Sequence, residues 1–372
     1  MPAPNRTTPY VTPGMPALDT SGKALSFFEF WPTWLMYFPV VIQWLLLSVR
    51  HGSVTLPLLA NPKLPLAGMA GVPKSTLFAQ AEGECEAAIL PWFTHTVGAQ
   101  DCAQQAQTLL QLIERKGLQL PVVCKPDIGC RGAGVKLIDN AGDLARCLSA
   151  YPAGTSLIIQ KLSRWEPEAG LFFIRHPQQP QGTIVSLALK YTPYVVGDGE
   201  HTLAQLIEQD TRAGKLSHLY KERHRDRLSD VIEKGKPYKL VFSASHCRGA
   251  IFRDAREFIT PALTRRINQI MQGLPEFYYG RMDIKFPDIE QLQLGQGLEI
   301  VEINTASSES LHIWDRNTSL REAVGALLFQ YRTLFQLGSQ NRKRGFKTPG
   351  IRAFLKGWQA ERRLHGFYPA TD

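Results

Sequence analysis

Two short runs constrain this chain more than any other feature: YYGRMDIKF at residues 278–286 and GLEIVEINT at 297–305. Apolar and polar residues alternate in both, the period of a strand with one buried face. Residues two apart on a strand share a face, so Arg281 stands beside Asp283, and Glu302 beside Asn304. If the runs pair as a hairpin, Asp283, Glu302 and Asn304 form a cluster of hard oxygen donors. Such a set suits Mg²⁺, with Mn²⁺ as an alternative, which takes a few protein oxygens and fills its remaining positions with water and phosphate. Either run alone reads better as an amphipathic strand with solvated charges. The pair points to metal chemistry.

The 372 residues are enough for two or three domains and a substantial core, and an apolar share of 44% with 20% charged residues describes a globular chain. The net charge of +9 favours acidic partners: a nucleotide, a nucleic acid or an anionic lipid surface. No RNA-recognition signature, zinc-finger spacing or basic zipper region is present, so nucleic acid is not expected. Cysteines 85, 102, 124, 130, 147 and 247 form no CxxC pair and read as the reduced thiols of a cytoplasmic protein.

Residues 1–23 are rich in Pro, Thr and Gly and are expected to be mobile, without the features of a signal peptide. From Phe30 to Val49 run twenty uncharged residues, about the length that crosses a bilayer core. Pro32 and Pro39 interrupt them, and Trp31, Trp34, Tyr37 and Trp44 give an interfacial character. A buried core helix, a surface-lying membrane segment and a transmembrane helix all fit this stretch. The Pro-broken, Trp-rich composition favours contact with a membrane, peripheral or monotopic. Residues 51–73 read as loop. Past Gly338, eight Lys or Arg against two acids interleave with aromatic residues, a tail suited either to an anionic bilayer or to packing on the body.

Between these ends the chain carries a series of ordered signals. VVCKP and GVKLI flank a loop holding Gly129, Gly132 and Gly134, with Lys125 and Arg131 beside it. Glycine permits close backbone approach to phosphate oxygens, yet the spacing is neither GxxxxGK[ST] nor GxGxxG. Helix starts are marked at Asp101, near Asn140, at Thr202 with Gln205, at Thr260-Pro261 and at Ser319. The run Arg212–Arg227 has six Lys or Arg against two acids and reads as a solvated face. His246 and Arg248 are candidates for binding a substrate carboxylate or phosphate.

Taken in order, these signals resemble the ATP-grasp superfamily, with D-alanine–D-alanine ligases and the ATP-grasp module of cyanophycin synthetases as the nearest comparisons. The resemblance spans about residues 74–335. It implies an α+β fold of two lobes clasping ATP, here with an atypical apolar N-terminal segment at 1–73. The small lobe would be 74–165, the large lobe 166–338, and a basic aromatic tail 339–372. By the same resemblance Lys74, Lys125, Gly129, Arg131, Gly132 and Gly134 contact phosphate. The backbone of Gln160, Lys161 and Leu162 reads adenine, and Glu168 the ribose. Asp283, Glu302 and Asn304 hold Mg²⁺, while Arg281 and Lys190 stabilise the transferring phosphoryl. The implied activity is ATP-dependent joining of a carboxylate to an amine through an acyl phosphate. The alternatives are a phosphotransferase, a polymer-forming ligase, and a non-catalytic nucleotide-binding membrane scaffold. Two departures stand out. No β-α-β rhythm precedes residue 74. EINT is followed by AlaSerSerGluSer, where D-alanine ligases have Pro-Gly-Met, so D-alanine is not expected as substrate and Ser307 joins the candidate substrate contacts.

Overall fold

The computed structural model describes residues 9–21, 26, 28, 31–129, 133–243, 249–369 and 371. In chain order the helices are α1 (Thr33–His51), α2 (Lys74–Phe78), α3 (Glu84–Ala88), α4 (Cys102–Arg115), α5 (Ala141–Ser149), α6 (Leu203–Gln209), α7 (Ser217–Arg223), α8 (Pro261–Gln272), α9 (Ile289–Leu294), α10 (Leu320–Lys343) and α11 (Ile351–His365). The strands are β1 (Trp92–Thr96), β2 (Val122–Pro126), β3 (Lys136–Ile138), β4 (Ser156–Lys161), β5 (Glu168–Ile174), β6 (Thr183–Tyr191), β7 (Tyr194–Val196), β8 (Pro237–Lys239), β9 (Ile251–Asp254), β10 (Tyr279–Lys285) and β11 (Glu299–Asn304).

A four-stranded antiparallel sheet, ordered β1-β4-β2-β3, packs against α4 and α5 through Leu109, Ile113, Val122, Leu144, Leu148 and Ile159. A five-stranded antiparallel sheet, ordered β11-β10-β5-β6-β9, carries the two runs that opened the sequence reading. One face of it rests on α8, with Leu171, Leu187, Met282 and Ile284 meeting Leu263, Ile267 and Ile270. Leu77, Phe78 and Cys85 of the α2–α3 segment enter the same core. The expected helix starts are in place. Asp101, Asn140, Thr202, Thr260 and Ser319 each accept the N–H three residues on, with the full capping box at Thr202 and Gln205.

Two expectations for the N-terminal region change, and the aromatic stretch takes a definite form. Residues 9–21 are not loose: Leu18 is buried in the main core, with Val11 and Met15 packed on it. Residues 51–73 are more ordered than a loop. They form two 3-10 turns at Leu56–Leu59 and Pro65–Gly68, and the first of these packs on α10. The aromatic stretch is one helix used on both sides. Met36 and Val40 are buried, and Tyr37 and Trp44 turn inward to Tyr331 and Phe335 of α10. Trp34, Phe38, Leu45, Leu46 and Val49 face outward, Val49 with 84% of its surface exposed. A Pro inside a helix removes one backbone hydrogen bond, and α1 continues through Pro39.

Asn61 ties this region to the sheet. Its buried side chain accepts from Tyr278 N–H at 2.8 Å and Tyr279 N–H at 3.1 Å, and donates to the Tyr279 carbonyl at 2.9 Å. Three backbone groups at the start of β10 thus depend on one amide. Asn61→Ala leaves them buried and unpaired, so it should lower the free energy of unfolding by about 2–4 kcal/mol in chemical denaturation. A loss below about 0.5 kcal/mol would show that water replaces the amide at no cost.

Candidate functional site

The outward face of the five-stranded sheet is built by register. Asp283 on β10 lies directly opposite Glu302 on β11, and Arg281 opposite Asn304. One row along, Lys285, Glu168 and Lys190 line up across β10, β5 and β6. Between Asp283 and Ala188, on the strand separating β10 from β6, stands Gly170. With no side chain there, the Lys190 ammonium reaches across β5 to Asp283 at 3.0 Å. A Cβ at Gly170 would lie 2.6 Å from Leu311 Cδ1 and 3.2 Å from Arg281 Cδ, so a side chain there would displace Leu311 and crowd the guanidinium stem.

Asp283 is buried. Its carboxylate accepts from Arg281 Nε at 2.8 Å and Asn304 Nδ2 at 3.2 Å, besides its ion pair with Lys190. Burial alone would raise this carboxyl, but the Arg281 and Lys190 cations overcome it and bring it down to about 2. Glu168 repeats the balance: burial pushes it up, and Lys190 at 2.7 Å with Lys285 at 3.1 Å pull it below its usual range. Glu302 lies 3.5 Å from Lys74 Nζ.

A bulge in β11 links the two sheets. Asp283 pairs with Glu302 while Ile284 pairs with Ile300, which leaves Val301 without a partner on β10. Its carbonyl accepts from Lys125 Nζ at 3.0 Å, and Gln160 Oε1 accepts from the same ammonium at 2.7 Å. The bulge also lets Ile300 and Ile303 enter one core although they are an odd number of residues apart. Burial lowers Lys125 to about 8, against the attraction of Glu302, Asp283 and Glu168.

The structure therefore brings together Lys74, Lys125, Glu168, Lys190, Arg281, Asp283, Glu302 and Asn304. Gln160 and Lys161 lie in β4 between β1 and β2, with Leu162 just beyond. Gly129 accepts from Lys74 Nζ at 2.5 Å. Gly134 sits at the far end of the loop against Pro126 and Tyr151, at φ +72°, where glycine is needed. Ser307 is exposed in the turn after β11. Arg131, Gly132, His246 and Arg248 lie outside the described residues.

Sequence reasoning missed four members. Lys285 was readable, because it shares the parity of Arg281 and Asp283. Asp127 and Ser75 join the glycine loop to α2, with Ser75 N–H and Oγ donating to the carboxylate at 2.8 and 2.6 Å. Glu309 had no signal beyond its place after EINT. Its carbonyl accepts from Arg281 Nη1 at 3.1 Å, and its carboxylate takes hydrogen bonds from Trp314 Nε1 and from the Tyr37 hydroxyl of α1.

Five cations (Lys74, Lys125, Lys190, Lys285 and Arg281) thus meet three carboxylates, Glu168, Asp283 and Glu302. The carboxylates of Asp127 and Glu309 stand at the margins of this group, so it is the convergence of the ammonium groups on one face, rather than a net excess of charge, that suits a polyanion. Among the described residues no three His, Cys, Asp or Glu side chains converge as a ready metal site. What stands here is two carboxylates on paired strands with one amide, a donor set that fits Mg²⁺ when phosphate oxygens complete it. A separate cavity of about 620 Å³ lies against α8 and α9, lined by Arg164, Arg265 and Arg266, and includes none of these groups.

No family model matches the chain, and no curated protein matches it. Solved structures similar to it include a bifunctional glutathione synthetase from Pasteurella multocida, at 16% identity and a TM-score of 0.36, covering 71% of this chain and 36% of that one. D-cycloserine synthetase DcsG is similar at 12% identity and a TM-score of 0.38, covering 71% and 70%. The D-alanine–D-alanine ligase from Coxiella burnetii is similar at 10% identity and a TM-score of 0.37, covering 79% and 64%. The chain spans about a third of the glutathione synthetase and just under two thirds of the D-alanine ligase. All three are ligases or synthetases, and the sequence resemblance had pointed to one of them by class. The substrate of this chain is left to its own residues.

The pH behaviour of Lys125 tests the polyanion reading. Its ammonium, lowered to about 8 by burial, is half discharged near pH 8 and loses the rest above it, so affinity for Mg·ATP, measured by calorimetry, should fall as pH rises from 7.5 to 9.5. Lys125→Ala should bind about 10- to 100-fold more weakly at pH 7, the weight of one charge-assisted hydrogen bond, and should lack that alkaline limb. A limb of unchanged size in the variant would assign the titration to another group.

Proposed function

We propose that the protein is an ATP- and Mg²⁺-dependent ligase that joins a carboxylate to an amine through an acyl phosphate. One observation carries the reading: Asp283 and Glu302 stand opposite each other on a sheet face where Lys74, Lys125, Lys190 and Arg281 converge. Asp283, Glu302 and Asn304 would hold the metal ion, which when bound neutralises phosphate charge and polarises the phosphoryl group. Lys74, beside Gly129 and Glu302, and Lys125, on the small sheet, supply cations to a phosphate chain between the lobes. Arg281 and Lys190, held by Asp283, face the charge that develops on transfer and on the tetrahedral adduct. The Glu309 carbonyl fixes the Arg281 guanidinium. This chemistry requires positioned charge rather than a protein nucleophile.

Asp283→Asn and Glu302→Gln each remove one negative charge without opening a cavity. Both should lower ADP release by at least ~10²-fold, measured with pooled carboxylates and amines, while far-UV circular dichroism stays unchanged. Wild-type turnover in both variants would remove the metal assignment.

The same reading includes attachment to an anionic membrane surface, with the substrate presented there. Outward residues Trp34, Phe38, Val41, Leu45 and Val49 form a continuous apolar face on α1. On α11, Ile351, Leu355 and Trp358 are exposed along one face, and Arg352, Lys356, Arg362 and Arg363 lie on the same helix. The inner stripe of α1 packs along α10, which carries Arg321, Arg332, Arg342 and Lys343. That packing favours a helix lying on the bilayer over one that crosses it. Changing Trp34, Phe38 and Leu45 together to Ser should abolish most co-sedimentation with phosphatidylglycerol vesicles at high salt. At low salt the α11 cations should retain a weaker, salt-sensitive part. A wild type that stays fully soluble with these vesicles at low salt would exclude the attachment.

A further inference from the structure

The segment after α11 folds back onto the glycine-rich loop and touches both of its described arms. On the first arm, the Tyr368 hydroxyl donates to the Ile128 carbonyl, and the Tyr368 ring lies over Gly129, 3.4 Å from where a Cβ would stand. On the second arm, Thr371 Oγ1 accepts from Val135 N–H at 3.3 Å. Thr371 is only 3% exposed, and its carbonyl accepts from Arg223 Nε of α7 at 3.3 Å. The tail therefore runs from the small sheet to α7.

Further contacts set this arrangement. Tyr368 meets Tyr151 edge-on at 6.1 Å, and the Tyr151 hydroxyl donates to the Gly134 carbonyl. Burial pushes the Tyr368 phenol up to about 12, so it stays a donor through the neutral range. Upstream, Glu361 of α11 accepts from Gly71 N–H at 2.6 Å, just ahead of Lys74. Lys74 Nζ in turn holds the Gly129 carbonyl. The arms of the loop are thus gripped by α2 on one side and by the tail on the other.

We propose that Tyr368 and Thr371 are positioning residues that hold the arms Asp127–Gly129 and Ala133–Val135 in the form that receives nucleotide phosphate. The inference rests on the phosphate-binding reading of this loop. A glycine-containing loop loses much backbone freedom when it settles around a ligand. A segment that orders it beforehand removes that loss from the binding step. Neither side chain meets the nucleotide; both act through the backbone groups they hold.

The test compares the full-length wild type with Tyr368→Phe, Thr371→Val, the double variant and Thr371→Ser. Amide hydrogen exchange at Asp127, Ile128, Gly129, Ala133, Gly134 and Val135 is read without nucleotide, and Mg·ADP affinity by calorimetry. Tyr368→Phe keeps the ring and loses only the hydroxyl. It should speed exchange on the first arm, Thr371→Val should speed it on the second, and the double variant should bind Mg·ADP about tenfold more weakly. Thr371→Ser keeps the hydroxyl and should restore both protection and affinity, which a general loss of stability would not allow. Unchanged exchange in the double variant, or faster exchange with unchanged Mg·ADP affinity, would overturn the positioning role while leaving the nucleotide site in place. A wild type that does not bind Mg·ADP at all would instead remove the phosphate reading of the loop.

Discussion

The pairing of Asp283 with Arg281 and Lys190 is the interaction on which the rest of the arrangement depends. A lone carboxylate at that depth would be costly, and breaking such a pair by removing one partner typically costs about 3–5 kcal/mol. The pairing makes demands on its neighbours. Lys190 must reach across a strand, past Gly170, where a side chain would press on Leu311 and Arg281. Arg281 must spend its outer nitrogen on the Glu309 carbonyl, which fixes the segment after β11. That segment then receives Tyr37 and Trp314, so the approach of α1 is coupled to a salt bridge on the sheet. The chain is locally expensive here. Buried ion pairs are weak evidence for stability, and their concentration on one sheet face marks a candidate functional site.

The β11 bulge solves a second problem. As the edge strand of its sheet, β11 turns some carbonyls away from β10, and Ile300 already accepts from Leu90 N–H at 3.1 Å; the bulge decides which carbonyl meets Lys125. One extra residue, Val301, frees a carbonyl toward Lys125 while keeping Glu302 and Asn304 on the charged face. The Lys125 ammonium is thereby held between lobes by two neutral oxygens rather than by a carboxylate. This explains why burial dominates its titration, unlike Lys190, whose two carboxylate partners outweigh the same burial and raise it.

Much of this was legible in the sequence because it follows from period and parity. Side chains two apart on a strand share a face whatever surrounds them, so Arg281 with Asp283 and Glu302 with Asn304 could be assigned before any fold was known. Helix starts at Asp101, Thr202, Thr260 and Ser319 were equally local, each resting on one side chain and the N–H three residues on. What escaped was set by long-range packing. Asn61 reads as a turn residue, yet it organises backbone groups more than two hundred positions away. Pro, Thr and Gly near the N-terminus suggested mobility, but Leu18, Val11 and Met15 found a core built by residues 64–303. Glu309 and Asp127 carry no motif of their own, and their importance lies in the distant donors they accept from: Arg281, Trp314 and Tyr37 for Glu309, Ser75 for Asp127.

The division of α1 follows from the same physics. A helix with apolar residues all round is buried on every side or has a second apolar medium beside it. Here α10 covers one stripe, from Met36 through Trp44, and the opposite face keeps Trp34, Phe38, Leu45 and Val49 in the open. Single exposed apolar residues are ordinary in soluble proteins, but a continuous helical face of them is not. The two faces answer to different constraints. Tyr37 must keep its hydroxyl on Glu309 to hold the segment that supports Arg281, which ties the inner stripe to the charged sheet. Among the described residues the outer face meets no such demand, and Trp34, Phe38, Leu45 and Val49 stay exposed there. Whatever meets that face acts one side chain, Tyr37, away from the Glu309 segment that anchors Arg281.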